Sequence, residues 1–321
     1  MTDKRLSALA LLLWCAALPA TAPDSPAAAG DQSDWSASLT VFSQRVLPAE
    51  PVLVTLRLTY RGDEPFTGYA SFGRFEVQYW SPAGGKRIHS FSSPPFQAST
   101  DELPPVRART YAAGYVGEVS VLVLYDPDRG ACFFQEPGVG CFMANGEVWE
   151  GAVLEEYRPV RVDSAPVAVE VLPMPTEEID AFALWRGEDK ALMFLAGIGD
   201  EGTRADLQAL ADRYPQSAYA KYALLALAQG KHRQWKRLHG SGPDFARLVS
   251  DELDLLHQVA ERHPSFHLMP TVADRILDAA LWMPGWPHTE KYAKMLLEMP
   301  NAPQEYRTHA RQALEGLKAQ Q

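Results

Sequence analysis

Two cysteines are the residues of this chain best placed for covalent chemistry. Cys132 and Cys141 flank the glycine-containing residues 135–140, so a bond between their sulfurs would close a tight loop. In an oxidising compartment this pair predicts a disulfide, which would contribute about 2 to 3 kcal/mol by restricting the unfolded chain. A redox-active pair typically has the spacing Cys-x-x-Cys, and a zinc site needs more ligands, so both are disfavoured.

The histidines offer one pair at a metal-binding spacing. His263 and His267 are four residues apart, but no third ligand accompanies them. Residues 126–130 (Asp-Pro-Asp-Arg-Gly) lack the glycine and the closing glutamate of a calcium loop. We therefore expect no metal site and no cofactor, and we interpret His263 as a packing residue.

Catalytic chemistry has little support in the sequence. Residues 239–243 (His-Gly-Ser-Gly-Pro) lack the first glycine of a nucleophile elbow and follow a helical pattern instead of a strand. The four glutamates between residues 147 and 156 lie in a polar stretch, where carboxylates are usually solvated. We expect no catalytic residues, and a hydrolase with a site at the domain junction is kept as a third hypothesis.

A basic cluster surrounds one tryptophan in an otherwise acidic chain. Such a cluster could bind an anionic partner or an envelope polymer. The alternative is a solvated helix face whose charges offset neighbouring acids. The candidate partner-binding residues here are Lys231, Arg233, Trp235, Lys236 and Arg237, with His232 among them.

Three aromatic residues form a second candidate surface near a predicted helix end. Trp282, Trp286 and Tyr292 flank or follow a Met-Pro-Gly turn at residues 283–285. Exposed rings at this place could dock a peptide or stack on a sugar. The alternative is that the rings pack in the core between helical repeats.

Charge and length limit the possible functions. The 321 residues include 30 basic and 40 acidic side chains, for a formal net charge of −10. An acidic chain repels phosphate backbones, so nucleic-acid binding has no electrostatic support. The length suggests two domains.

Residues 1–22 have the pattern of a secretory signal peptide. Two basic residues precede a ten-residue apolar stretch that ends in small residues, which predicts cleavage after Ala22. The apolar stretch is too short to span a bilayer, and a bulky residue before Cys15 argues against a lipoprotein anchor. We expect a secreted or periplasmic protein without a transmembrane segment after cleavage.

The part of the chain after the signal divides into a leader, a strand-rich region and a helical region. Residues 23–34 are small and polar, which is typical of a flexible leader. Residues 35–173 contain short alternating runs, clearest at residues 52–60, and they predict an antiparallel β-sandwich. The proline-rich residues 92–105 are expected at an edge or in a crossing loop.

Residues 174–321 predict an all-α domain of six or seven helices. Thr176 with acidic residues after it marks a helix start. Residues 210–217 (Leu-Ala-Asp-Arg-Tyr-Pro-Gln-Ser) recur as residues 259–265 (Val-Ala-Glu-Arg-His-Pro-Ser), and each copy closes an amphipathic run with a proline. This pattern is typical of stacked helical hairpins.

The segment Tyr-Pro-Gln-Ser-Ala-Tyr-Ala-Lys-Tyr-Ala at residues 214–223 resembles the tetratricopeptide segments of bacterial cell-envelope proteins. The resemblance covers residues 203–318 and implies helical hairpins. It departs from that family, because Pro215, Pro264 and Pro300 are 49 and 36 residues apart instead of about 34, so the repeats are degenerate. The front half, with Gly-Glu-Val at residues 117–119, is similar to immunoglobulin-like modules that precede helical regions in secreted bacterial proteins.

The sequence therefore predicts a multidomain β + α protein that acts as a non-enzymatic adaptor or scaffold. Stacked hairpins present a concave surface, which would bind a protein or peptide of the cell envelope. The alternative is a carbohydrate- or cell-wall-binding module that uses aromatic residues of the β-sandwich, namely Tyr79, Trp80 and Trp149. Strict alternation places Tyr79 and Trp80 on opposite faces of their strand.

Overall fold

The computed structural model describes residues 34–70, 75–84, 86–90, 109–126, 131–132, 134–151, 158–238, 240, 242–300 and 302–319. The predicted signal peptide, the leader up to residue 33 and the proline-rich residues 92–105 lie outside the described residues. Within them, a β-rich region precedes a helical region. The prediction of a β + α multidomain chain is confirmed at this level.

Short strands form the first part of the chain, as the alternating apolar pattern predicts. The run at residues 52–60 is one continuous strand with both ends where the pattern places them. The strands in the described residues are β1 (Trp35–Val41), β2 (Arg45–Val46), β3 (Val52–Tyr60), β4 (Phe66–Tyr69), β5 (Phe75–Trp80), β6 (Lys86–Ser90), β7 (Arg109–Tyr111), β8 (Val116–Val123), β9 (Tyr125–Asp126), β10 (Ala131–Cys132), β11 (Gly138–Glu150), β12 (Arg158–Asp163) and β13 (Val167–Val171).

The strands form a small and a large sheet, and β9 pairs with β10 separately. The small sheet has the order β1-β3-β8. The large sheet is built on the long strand β11, which pairs antiparallel with β12, β13, β4 and β5. Strand β2 adds to β13 in parallel. On β11, Phe142, Ala144 and Val148 are buried at even spacing, as expected of residues on one face of a strand. The other face is buried only near Cys141.

Aromatic rings fill the core of the β-rich unit. Trp35 of β1 lies 5.2 Å from the ring of Tyr60 in the small sheet and 5.2 Å from the ring of Phe66 in the large sheet. A second group joins Tyr79 to Phe134 and Phe142, each at 5.1 Å. Because aromatic burial contributes strongly to core stability, the contacts of Trp35 join the two sheets, and the second group stabilises the large sheet.

The two cysteines lie in strands. Cys141 is buried in β11, paired with Trp80 and Ala168, and Cys132 is half-buried in β10. No disulfide bond is present among the described residues. The disulfide between Cys132 and Cys141 therefore stays a prediction for the oxidised protein.

Eight α-helices follow in the described residues, one more than the upper expectation. A short 3-10 turn at Thr176–Glu178 precedes them, at the predicted helix start. Across the described part of the chain, none of the helices combines the length and the apolar character that a membrane span requires. The helices are α1 (Ile179–Trp185), α2 (Glu188–Ala196), α3 (Glu201–Arg213), α4 (Ala220–Lys236), α5 (Pro243–Arg262), α6 (Met269–Ala280), α7 (Thr289–Glu298) and α8 (Gln304–Ala319).

Helices that are neighbours in sequence pack on one another. Helix α4 contacts α2, α3 and α5, and the series continues from α5 to α6, α7 and α8. The packed face of α4 includes small residues beside larger ones, since Ala220, Ala223 and Ala226 are buried. Small side chains allow close approach of helices, as the sequence indicated.

The recurring sequence at residues 210–217 and 259–265 has the same backbone structure in both copies. Tyr214 ends α3 with φ −125° and ψ 52°, and His263 ends α5 with φ −132° and ψ 58°. Each donates its N–H to a carbonyl four residues earlier, Leu210 or Val259. Because the following proline cannot continue a helix, both copies end at the same position.

The helical unit includes more of the chain than residues 174–321. Its compact body also contains Ala49–Leu53 and Leu122–Cys132, which the sequence pattern assigned to the β domain. Three hydrogen bonds explain the position of the first segment. Trp185 Nε1 donates to the carbonyl of Ala49 (2.8 Å), Tyr222 Oη donates to buried Glu50 (2.8 Å), and His267 Nε2 donates to the carbonyl of Pro51 (2.7 Å).

We predict that acidification destabilises the protein through His267. Desolvation lowers the pKa of His267 to about 4, and the bond to Pro51 opposes this only in part. An unfolded histidine titrates near ~6.5, so the unfolded chain binds the proton more tightly. The stabilisation is complete above about pH 6.5 and is lost as the pH falls to about 4. The unfolding free energy should drop by about 2 to 3 kcal/mol over this interval.

Urea denaturation followed by circular dichroism at several pH values measures this effect. His267→Gln should reduce the dependence of the unfolding free energy on pH in this interval. The control is His309→Gln, which changes an exposed histidine that contacts Asp274 and should not reduce it. An unchanged pH dependence in His267→Gln would show that another group is responsible.

Candidate functional site

The predicted basic cluster lies in the last turns of α4. The alanine-rich start of the helix favours helix formation, and cations near its C-terminus interact favourably with the helix dipole. Arg233 is half-buried, whereas Lys236 and Arg237 are exposed. The cluster therefore combines one half-buried guanidinium with two exposed cations, and Lys236 pairs with Asp278 of α6 (3.5 Å).

These cations surround a surface depression of about 420 Å³. Residues three and four apart share one face of a helix, and this spacing brings the α4 residues of the depression together. Arg233 Nη1 donates to the carbonyl of Ala196 at the end of α2 (3.2 Å), which joins the two helices there. The lining residues are Ala196, Gln229, His232, Arg233, Lys236 and Arg237.

A buried carboxylate lies behind the depression. Glu252 of α5 has no exposed surface and accepts hydrogen bonds from Trp235 Nε1 (2.5 Å) and Arg275 Nη2 (2.6 Å). His232 Nδ1 lies 3.2 Å from the same carboxylate. Burial acts to raise the pKa of Glu252, but the Arg275 charge and the bonds from His232 and Trp235 outweigh it, so that the pKa is lowered. Glu252 is therefore ionised at neutral pH.

The ionised state of Glu252 fixes the tautomer of His232. A carboxylate accepts hydrogen bonds and donates none, so Nδ1 of His232 must carry a proton to bond with it. In the neutral imidazole, Nε2 then has a lone pair. The bond to Glu252 therefore leaves Nε2 as the ring nitrogen of His232 that can contact a ligand.

An aromatic group adjoins the depression. The rings of Trp235, Phe245 and Trp282 lie 5.7 to 5.9 Å from one another. Trp282 is 47% exposed, and Lys236 Nζ lies 6.0 Å from its ring centroid and 4.6 Å from that of Trp235. A partly exposed indole therefore stands beside the cations.

Two candidates of the basic cluster need correction. Trp235 is 1% exposed, because its indole is held in the core by Glu252 and the neighbouring rings, so it supports the site and cannot contact a partner. Lys231 does not line the depression. Its ammonium pairs with Asp251 (2.6 Å), which Arg247 also approaches (3.4 Å).

The second predicted surface is divided. Only Trp282 adjoins the depression, whereas Trp286 and Tyr292 form another group with His257 and His288. The indole of Trp286 stacks on Tyr292 at 6.0 Å, and the two imidazoles stack at 4.6 Å. Tyr292 has no exposed surface, and its hydroxyl bonds to His257 Nδ1 (2.7 Å). Its assignment as a contact residue is therefore corrected to core packing, and its pKa is raised to about 12 by burial.

The proposed sugar platform of the β-rich unit does not have adjacent rings. Tyr79 is buried, and Trp80 and Trp149 are half-buried. Trp80 is paired with Cys141, which is eight residues before Trp149 on β11. Even residue spacing puts both indoles on one face, but at about 3.3 Å per residue they are roughly 26 Å apart along the strand.

The metal-binding spacing of His263 and His267 has another use in the structure. Nε2 of His267 is bonded to Pro51, and desolvation lowers the pKa of His263. Among the described residues, no three histidine, cysteine, aspartate or glutamate side chains are grouped for a metal ion.

Sequence reasoning missed Glu252 and Arg275, although one signal was present. Glu252 is three residues after Val249 and four before Leu256, so it lies on the apolar stripe of its helix. A carboxylate at such a position is rarely buried without a partner. This spacing indicates a buried ion pair, but it does not identify Arg275 on the next helix.

We predict that Glu252→Gln destabilises the protein by about 3 kcal/mol, because it leaves the mostly buried guanidinium of Arg275 without its counter-charge. Thermal and urea denaturation measure this loss. The matched control is Glu261→Gln, which removes an exposed carboxylate that pairs with Lys291 and should leave the melting temperature almost unchanged. Equal losses in the two variants would contradict a special role for the buried carboxylate.

No family model matches this chain, and no curated protein matches it either. Similar solved structures include the ApaA protein from Bordetella pertussis, with 13% identity over 44% of this chain and 96% of that chain (TM-score 0.26). The sporulation control protein Spo0M from Bacillus subtilis has 8% identity over 47% and 55% (TM-score 0.27). A β-glucosidase from Listeria innocua has 13% identity over 44% and 17% (TM-score 0.19). Similarity at this level assigns neither a family nor a function.

Proposed function

We propose that this protein is a non-enzymatic adaptor whose helical unit binds an acidic segment of a protein or peptide partner. One observation carries the proposal. Arg233, Lys236 and Arg237 meet His232 around one depression, in a chain with a formal net charge of −10. The acidic remainder of the protein repels an anionic partner, whereas this local basic surface attracts one.

The surface has the components of a modest peptide-binding site. The depression of about 420 Å³ accommodates a few side chains of a partner. Rim cations such as Lys236 and Arg237 act mainly on the association rate and on specificity. The exposed indole of Trp282 supplies the aromatic contact that peptide-binding sites commonly use for affinity.

The finer fold assignments belong to the same proposal. We interpret the helical unit as degenerate tetratricopeptide-like hairpins, and the repeated turn after Leu210 and Val259 supports this. We interpret the β-rich unit as an immunoglobulin-like sandwich, which the aromatic contacts between its two sheets support. The pattern of residues 1–22 supports a secreted or periplasmic location, so that the partner would belong to the cell envelope.

We predict that reversing the two rim charges weakens binding of an acidic peptide. Lys236→Glu with Arg237→Glu should raise the dissociation constant of a fluorescein-labelled oligo-aspartate peptide about tenfold or more, since each lost charge contact is worth about 1 kcal/mol. Fluorescence anisotropy at low ionic strength measures the affinity. Added salt should weaken binding to the wild-type protein, because it screens exposed charges.

A matched double variant controls for net charge. Arg311→Glu with Lys318→Glu replaces one arginine and one lysine on an exposed face of α8 and should bind the peptide with nearly wild-type affinity. Equal weakening by both double variants would mean that only overall charge matters. Circular dichroism shows that the variants are folded.

A further inference from the structure

We propose that His232 contacts the anionic ligand of the depression through Nε2, and that binding takes up one proton at this ring. The ligand would therefore be held more tightly as the pH falls. This inference rests on the proposed function, because it names the contact group and the ligand chemistry of the same site. The ligand chemistry is a carboxylate of a peptide, on a side chain or at the C-terminus.

The first step is the assignment of the ring atoms. Nδ1 of His232 is occupied by Glu252, at 3.2 Å from its carboxylate. The same carboxylate also accepts hydrogen bonds from Trp235 and Arg275. Both of these groups can only donate, so all three bonds require an ionised Glu252. No described residue forms a hydrogen bond with Nε2 of His232, which leaves this atom as the polar atom that the ring can offer to a ligand.

The second step is the effect of protonation. The neutral ring has its proton on Nδ1, so Nε2 presents a lone pair, which repels an anionic oxygen. In the protonated ring both nitrogens donate, and Nε2–H can make a charge-assisted hydrogen bond to a carboxylate. Contact between Nε2 and an anion therefore requires the protonated ring. By linkage, anion binding favours proton uptake and acid favours anion binding.

The third step is the charge that surrounds the ring. The negative charge of Glu252 lies at Nδ1 of the ring, whereas Arg233, Lys236 and Arg237 line the depression with it. A bound carboxylate adds a second negative charge on the ligand side and offsets these cations. The groups around His232 are first Glu252 from α5 and its partner Arg275 from α6. They also include Arg233, Lys236 and Arg237 from its own helix, Asp278 from α6, which pairs with Lys236 (3.5 Å), and the carbonyl of Ala196 from α2.

The carboxylate of Glu252 makes His232 different from an ordinary surface histidine. A free imidazole can place its single proton on either nitrogen, so its neutral form could still donate to a ligand. Here the Nδ1–H bond to Glu252 prevents this exchange. Loss of the proton therefore converts the ligand-facing atom from a donor to an acceptor, which makes the contact depend on pH.

Calorimetric titration with a C-terminally amidated oligo-aspartate peptide tests the proposal between about pH 6 and 8, where histidines commonly change charge. The peptide keeps its own charge there, because aspartate titrates near ~3.9. Two buffers with different ionisation enthalpies give the number of protons taken up. For the wild-type protein we expect an uptake that approaches one proton, and a dissociation constant that falls about tenfold from pH 8 to pH 6.

His232→Gln should bind the peptide with an affinity that does not depend on pH, and without this proton uptake. Its amide cannot gain a proton, although it can still donate to Glu252. His309→Gln is the control and should keep the wild-type pH dependence. A peptide with a free C-terminus distinguishes the two sources of carboxylate, since stronger binding than that of the amidated peptide would indicate that the terminal group is the one contacted.

The possible outcomes distinguish a failure of the role of His232 from a failure of the proposed function. Peptide binding that needs Lys236 and Arg237 but is independent of pH would overturn the role of His232 and leave the proposed function standing. An unchanged pH dependence in His232→Gln would do the same. No binding at any pH would overturn both. If His232→Gln does not fold, nitrogen NMR of the wild-type ring remains decisive, because a neutral ring protonated on Nε2 contradicts the proposal.

Discussion

The packing of α4, α5 and α6 depends on one buried negative charge. Glu252 joins three successive helices, because its carboxylate on α5 accepts hydrogen bonds from Trp235 of α4 and Arg275 of α6. Burying a charge is costly unless it is paired and hydrogen-bonded. Here several donors share one carboxylate, so the cost is offset only while all three helices keep their positions. The interaction therefore specifies the packing as well as stabilising it.

The same carboxylate orients the surface of α4. Trp235 points into the core toward Glu252, and His232, nearly one turn earlier, reaches the same carboxylate from the edge of the depression. With these two residues fixed, helical spacing leaves Lys236 and Arg237 exposed to solvent and places Arg233 at the end of α2. The basic surface is thus a consequence of how a polar group is satisfied in the interior. A change at Glu252 would alter the depression although Glu252 does not line it.

Much of the local structure could be predicted from the sequence, because it depends on local patterns. The apolar alternation at residues 52–60 predicted both ends of β3, and the two proline turns predicted the ends of α3 and α5. The sequence did not predict which individual side chains point into the core. Trp235 and Tyr292 are buried because of rings and polar groups on other helices, and a short window of sequence contains no information about these.

Long-range pairing explains the remaining differences. Glu50 bonds to Tyr222 across 172 positions, so no local pattern could assign Ala49–Leu53 to the helical unit. Arg275 likewise finds Glu252 across 23 positions. In both cases a buried carboxylate accepts a hydrogen bond from a residue that is distant in sequence, and only folding brings the two together. A carboxylate on an apolar helix stripe is a sequence signal that a donor must exist, but the identity of that donor is a property of the packing.

The charged groups of the helical unit respond to acid in a definite order. The proposed contact of His232 with an anion requires a proton on Nε2 in addition to the one that bonds to Glu252. The stabilisation by His267 begins to decline only below about pH 6.5. That of Glu252, whose pKa is lowered in the folded state, is lost only below the ordinary glutamate value of ~4.3. Acid therefore removes the stabilisation by His267 before that by Glu252, because histidine has a higher pKa than glutamate in the unfolded chain.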